Sequence, residues 1–276
     1  MNKLDNTSLK GIQKAIFEML KEVDRICRKN NIKYSLDSGT LIGAIRHNGF
    51  VPWDDDGDVV MLRSEYEKFA EACKKDLNTK RFFLQDFDTD PEYRWGYAKL
   101  RYNNTLLLKK GQEHCKWHQG IFIDIFIYDG VPDNHFLRII HSYACYCIRK
   151  GLYSAVGRKS ADNLLIRCWY ALLYVIPRNI WVNLIESIAK FTGEDNHELA
   201  CHMTYPCDFY GNKFGMPRVS FNEFIDKDFE GHRFKIFKNY DAHLRCMYGD
   251  YMVLPPEDKR VGQDIGKLVL PDDIDC

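Results

Sequence analysis

The chain has 276 residues, enough for one large domain or two small ones. Lys plus Arg and Asp plus Glu both number 39, so the formal net charge is zero and nothing pulls the whole molecule toward nucleic acid. Ten cysteines without a CxxC pair, and an N-terminus (MNKLDNTSLK) without an apolar core, read as buried free thiols in a reducing cytoplasm rather than a secreted disulfide framework. Cys201, His202 and Cys207 form a weaker alternative as a zinc cluster.

Leu9, Ile12, Ile16, Met19, Val23 and Ile26 recur at helical spacing and predict an amphipathic helix over 7–28, capped by Thr7 or Ser8. Ile32, Tyr34 and Leu36 then alternate as a strand does. That strand delivers a small-residue turn, Ser38-Gly39-Thr40. Gly39 lets backbone N–H groups approach a ligand closely, and the N-terminus of the next helix favours an anion there.

The stretch Trp53-Asp54-Asp55-Asp56-Gly57-Asp58 holds four carboxylates in five residues and leads directly into Val59-Val60-Met61-Leu62. That apolar run predicts a buried strand, which puts Asp56 and Asp58 on one face of its mouth. Carboxylates so close repel each other unless a cation lies between them. Hard oxygen ligands with open positions suit Mg²⁺ or Mn²⁺ completed by substrate phosphates. The competing reading is a solvated acidic loop.

Ser64-x-x-Glu67 is a capping-box pattern and predicts a helix carrying Tyr66, Phe69, Cys73 and Leu77 on one face. Phe82–Leu84 predicts a strand. In 95–101, Trp95, Tyr97, Lys99 and Arg101 share one face; the two basic residues either meet phosphate oxygens or lie solvated at a sheet edge. The run GIFIDIFIYD (120–129) is apolar on both faces and predicts a central strand. Asp124 inside it is a lone carboxylate that needs a cation: either a metal shared with Asp56 and Asp58, or Lys99 or Arg101.

Residues 133–203 read as helical, capped by Asp133 or Asn134. Within them, 164–191 is rich in Trp, Tyr, Leu and Ile and is broken at Pro177. It is either a packed helical hairpin or a segment lying in a membrane interface; no run is long enough to span. Ser220-x-x-Glu223 predicts another helix start, 239–248 a helix stopped by Gly249, Pro255-Pro256 an extended turn, and the acidic end a frayed tail.

Four segments, GTLIGAIRHNGFVPWDDDGD, AKLRYNNT, GIFIDIF and YGDYMVLPPEDKR, resemble the LicD family in that order. The resemblance implies an α/β nucleotidyltransferase-like fold: a mixed central sheet with flanking helices in 1–130, and a largely helical region in 131–276 that completes the substrate site. In that superfamily a GS or GT turn precedes a DxD pair, and a third carboxylate comes from a later strand; Gly39-Thr40, Asp56, Asp58 and Asp124 match those positions. Gly57 departs from the aliphatic residue usual there, which should loosen the backbone between the ligands.

What the resemblance implies in chemistry is a Mg²⁺-dependent phosphotransferase. It would move a phospho-alcohol, foremost phosphocholine, from CDP-choline or another CDP-alcohol to a hydroxyl of a surface glycan or its lipid-linked precursor. Asp56, Asp58 and Asp124 would be the catalytic metal ligands. Ser38, Gly39, Thr40, Arg46, Trp53, Asp55, Lys99 and Arg101 would bind substrate. The alternatives are a nucleotidyltransferase that releases pyrophosphate and an inactive binding module of the same fold. No nucleic-acid partner is expected; the location expected is cytoplasmic, with peripheral contact at the inner face of the membrane.

Overall fold

The computed structural model describes residues 5–193, 197–204 and 214–274. Its first element, α1 (Asn6–Lys29), buries Ile12, Ile16, Met19, Val23 and Ile26, the stripe expected from the sequence. Each such side chain contributes about 2 kcal/mol when fully withdrawn from water. The cap is Asp5, whose carboxylate accepts the Ser8 N–H at 2.9 Å, rather than Thr7 or Ser8.

Strand β1 shrinks to Ser35–Leu36, and Asp37 alone separates it from α2 (Ser38–Arg46). Strand β2 is Asp58–Leu62, buried along its whole length, and α3 (Arg63–Asp76) starts at the next residue. The capping box expected at Ser64 therefore does not form; Leu62 occupies the cap, and Ser64 already lies inside the first turn. Strands β3 (Phe82–Gln85), β4 (Ala98–Tyr102), β5 (Leu106–Lys109) and β6 (Phe122–Gly130) follow.

The main sheet has the order β1-β2-β6-β4-β3. Only the β2–β6 pair is parallel, so the sheet is mixed. Strand β6 is central, as its two apolar faces require. Strand β4 is interior too, so Lys99 and Arg101 are buried rather than solvated at an edge.

Helices α4 (His135–Ser160), α5 (Leu164–Val175) and α6 (Arg178–Thr192) come next. Asn134 caps α4, and Pro177 separates α5 from α6. The chain beyond them departs from the expected helical character. Strands β7 (Leu199–His202) and β8 (Met216–Pro217) extend the main sheet from β6. Strands β9 (Phe224–Phe229) and β10 (His232–Phe237) form a hairpin in place of the helix expected after Ser220.

Helix α7 (Tyr240–Tyr248) ends at Gly249, which adopts φ 67°. Strand β11 (Ile265–Val269) pairs antiparallel with β5, and Asp273 accepts the Tyr102 hydroxyl at 2.7 Å. The tail expected to fray is thus tied down through Asp273.

The segment 164–191 divides between the two readings it allowed. Trp181 is 8% exposed and packs its indole against Gly151, where a Cβ would come within 2.4 Å of the ring; Tyr170 presses in the same way on Gly157. Leu164, Leu165, Ile166, Trp169, Leu172 and Val175 of α5 face outward, while Leu173 and Tyr174 are half-buried against the inner clusters.

Candidate active site

The parallel pairing of β2 and β6 sets Asp58 directly beside Asp124. The antiparallel pairing of β6 and β4 sets Lys99 beside Asp124 on its other side. Three adjacent strands therefore present carboxylate, carboxylate and ammonium in one row, and the Lys99 ammonium is ion-paired with Asp124 Oδ1. The cation expected beside Asp124 is thus, at least in part, the protein's own.

The backbone around this row is held on every side. The Asp58 N–H donates to Thr40 Oγ1 at 2.9 Å, and its carbonyl accepts the Asp37 N–H at 3.0 Å. The Asp124 N–H donates to the Gly57 carbonyl at 2.8 Å. A Cβ at Gly57 would meet Ile16 Cγ2 at 2.5 Å and Ile123 Cγ2 at 2.9 Å. Gly57 does not loosen the backbone as expected; it is the residue that lets α1 and β6 close on the carboxylate loop.

Asp58 is buried, whereas Asp54 and Asp56 are half-buried. Burial pushes the Asp58 carboxyl well above the usual carboxylate range, and repulsion from Asp56, Asp124, Asp54 and Asp37 adds to the rise. Asp54 and Asp56 share a hydrogen bond, and burial raises both. Asp54 also lies over the α2 N-terminus: a Cβ at Gly39 would come within 2.5 Å of its Oδ2. The close approach that Gly39 permits is made here by a carboxylate of the protein.

Lys99 also opens onto a cavity of about 370 Å³. Arg101, Lys109, Arg149 and Lys150 contribute further cations to its lining, with Trp95, Tyr97, Phe122 and Tyr153 between them. The Lys99 ammonium stands 3.6 Å from the centre of the Phe122 ring. Burial brings the Lys99 amine down to about 7, with Asp124 opposing the fall. Lys109 is lowered by burial as well and is held up by Asp124 and Asp56. Arg101 forms the floor, donating to Gln85 Oε1 at 2.7 Å and to the Gly120 carbonyl at 2.8 Å.

The remaining expected residues lie elsewhere. Asp55 is buried and accepts the Gln263 N–H at 2.9 and 3.1 Å, which makes it an anchor for the C-terminal segment. Arg46 donates to the Tyr251 carbonyl at 2.8 Å, and Trp53 lies under the Arg260 guanidinium at 5.3 Å; neither lines the cavity. Ser38 holds φ 49°, a left-handed backbone, and its hydroxyl is hydrogen-bonded to Tyr248.

Lys109, Arg149 and Lys150 carried no sequence signal, since only the fold brings β5 and α4 to the cavity that Lys99 lines. Asp37 is in the same position. It is fully buried, and its Oδ1 lies 2.7 Å from His243 Nε2, more than two hundred residues away.

Hard oxygen donors crowded beside a cation-lined cavity fit a divalent cation. Among the described residues no three Asp, Glu, His or Cys side chains come together in a group able to hold a metal ion by themselves. Mg²⁺ does not require one, because it is commonly held by one or two carboxylates together with substrate phosphates and water. Of the zinc alternative, Cys207 lies outside the described residues; Cys201 is buried and forms no disulfide, and His202 contacts Thr204.

A mixed α/β sheet with an aspartate row at the mouth of its parallel pair, beside a cationic cavity, is the arrangement expected of the nucleotidyltransferase-like class. Residues 31–140 match the family described as LicD/FKTN/FKRP, nucleotidyltransferase domain. The chain is 32% identical over 268 residues to the lipopolysaccharide cholinephosphotransferase LicD of Haemophilus influenzae, covering 91% of this chain and 94% of that protein. It belongs to the LicD family.

An uncharacterised protein of Rickettsia prowazekii is 41% identical over 127 residues, 39% of this chain and 44% of that one. Among solved structures, the terminal uridylyl transferase 4 from Trypanosoma brucei with bound GTP is similar at 10% identity and a TM-score of 0.22, over 63% of this chain and 57% of the other. That likeness is too slight to argue from.

Proposed function

We propose that the protein transfers phosphocholine from CDP-choline to a hydroxyl of a surface glycan or its lipid-linked precursor and releases CMP. The observation that carries this reading is the junction at Lys99. One side of that residue is the aspartate row and the other is the cationic cavity, so a diphosphate in the cavity would lie against the carboxylates. A relative that matches 91% of the chain is named a lipopolysaccharide cholinephosphotransferase, which supports phosphocholine as the group moved.

In this reading Lys99, Lys109 and Arg149 offset the charge of the donor diphosphate, while Trp95, Tyr97 or Tyr153 supplies a stacking surface for the base or a face for the quaternary amine. Asp56, Asp58 and Asp124 would hold Mg²⁺, which when bound supplies positive charge to the attacking and leaving oxygens of an in-line displacement. The acceptor oxygen forms the new bond to the phosphocholine phosphorus. The bond from that phosphorus to the bridging oxygen breaks, and CMP takes the electron pair. The hydroxyl proton passes to a carboxylate of the row, in which Asp124 is ion-paired with Lys99.

The test is CMP release in the presence of Mg²⁺ and acceptor from CDP-choline, CDP-ethanolamine, CDP-glycerol and CDP-ribitol in parallel. CMP formed from CDP-choline with acceptor modification supports the reading. Pyrophosphate released from CTP or ATP, with every CDP-alcohol left intact, overturns it.

A further inference from the structure

Helix α5 presents a physical anomaly. Its sequence LLIRCWYALLYV has Arg167 as its single charge, the composition of a helix buried on all sides. Yet Tyr170 is its one buried residue; Leu165 is 78% exposed and Leu172 70%. Outward apolar residues continue at Ile180 and Leu184 on α6 and at Phe136 and Ile140 on α4. Isolated exposed leucines need no explanation, but so many on neighbouring helices mark a surface that something covers.

Charge identifies the occupant. Residues 135–192 contain eight Lys and Arg against two Asp and Glu; Arg149 and Lys150 line the cavity and Arg138, Arg158 and Arg178 are half-buried, which leaves three exposed cations against one exposed carboxylate, Asp162. Lys159, Arg167 and Lys190 are exposed among the apolar side chains. Trp169, 46% exposed, adds an aromatic of the kind that settles at the boundary between headgroups and acyl chains. No helix among the described residues is long and apolar enough to cross a bilayer.

We propose that α5, with the adjoining outward faces of α4 and α6, docks in the plane of an anionic lipid bilayer. Its apolar side chains enter the acyl boundary and its basic residues meet the headgroup phosphates. Helix α4 also carries Arg149, Lys150 and Tyr153 of the cavity. Docking therefore ties the donor cavity to the lipid surface through a single rigid helix. The docking stands apart from the transfer chemistry; its use in meeting a lipid-linked acceptor rests on the reading above.

The experiment is flotation of the full chain with phosphatidylcholine vesicles and with vesicles that also contain phosphatidylglycerol, without donor or acceptor. The chain should float with the anionic vesicles and remain in solution with the neutral ones. Leu165→Glu with Leu172→Glu should weaken partition by roughly a hundredfold. Lys159→Gln with Arg167→Gln should weaken it by roughly tenfold. Circular dichroism and melting temperature should match the parent; if the first pair does not fold, Leu164→Glu with Val175→Glu, both highly exposed, replaces it.

No flotation with anionic vesicles, or flotation unchanged in the apolar variants, overturns the proposal. So does a chain that sediments as a dimer, does not float, and becomes a monomer in the Leu165/Leu172 variant, which would assign the face to a second copy. Loss of CMP release with flotation intact would sink the transferase reading and leave the docking standing.

Discussion

At the mouth of the parallel strand pair, Asp58 is fixed by its own backbone, with its amide on Thr40 and its carbonyl on Asp37, so its carboxylate cannot withdraw from its neighbours. Asp58→Asn keeps the volume and removes the charge. Melting temperature should stay at or above that of the parent in metal-free buffer, because a buried repulsion is relieved, while CMP release should fall by at least about a hundredfold. Parental turnover with parental Mn²⁺ affinity would show that Asp58 is no ligand.

Asp124 answers to a different force. Its partner Lys99 is itself buried, and an unpaired buried ammonium is costly. Asp124→Ala should therefore destabilise the metal-free protein by about 3 kcal/mol in urea titration, and a second substitution, Lys99→Met, should restore most of the loss. A single variant as stable as the parent would show that the pair carries no weight.

The lone carboxylate in GIFIDIFIYD was legible as a residue in need of a cation, because a charge inside an apolar run is conspicuous. Which cation meets it depends on the register of β4 against β6. A single strand's sequence does not carry that register.

Among the elements, periodicity was the dependable guide and the Ser-x-x-Glu capping boxes were not. Helix α1 and strand β6 follow their apolar spacing closely, since burial of a continuous stripe outweighs local alternatives. The two Ser-x-x-Glu patterns failed for nonlocal reasons. At Ser64 the preceding strand runs straight into the helix, so the cap falls two residues earlier. At Ser220 the following residues pair six-for-six with 232–237, and the ladder prevails over a helix start. Lys109 reaches the site on β5, whose partner β11 lies at the far end of the chain.

In 164–191, composition alone could not separate core from surface, because the same aromatic and aliphatic residues serve both. The two roles make opposite predictions at neighbouring helices. Trp181→Ser removes a ring packed on Gly151 and should lower stability by roughly 3 kcal/mol or more. Leu172→Ser lies outside and should stay within about 0.5 kcal/mol. Chemical denaturation of both variants checks the division; equal losses would show that α5 is packed into the core.

For the molecule as a whole, proton linkage sets two groups of residues against each other. Burial holds the His202 imidazole down to about 3 from an ordinary value of 6.5, amid Tyr97, Phe126 and Tyr128 and with Arg149 adding to the fall. His118 and His141 are held at about 4, again chiefly by burial. A histidine whose folded value is depressed binds its proton first in the unfolded chain. Its contribution to stability is therefore complete above about 6.5 and is lost as pH falls toward the folded value.

The crowded carboxylates act in the opposite sense. Asp54, Asp56 and Asp58 are raised in the fold, so without metal they cost stability at neutral pH, and acid relieves that cost. Between pH 6 and pH 4 the histidine loss, about 1.4 kcal/mol per pH unit for each fully buried imidazole, is partly masked by this gain. Two measurements separate the contributions. In metal-free buffer, His202→Gln should flatten the fall of stability below pH 6 by about 1.4 kcal/mol per pH unit, whatever its effect at pH 8. In the Asp58→Asn background the histidine slope should steepen, because one of the masking carboxylates is gone. A His202→Gln variant that keeps the parental slope would mean that this imidazole already takes up its proton in the folded protein, and the neutral, buried His202 described here would have to be abandoned.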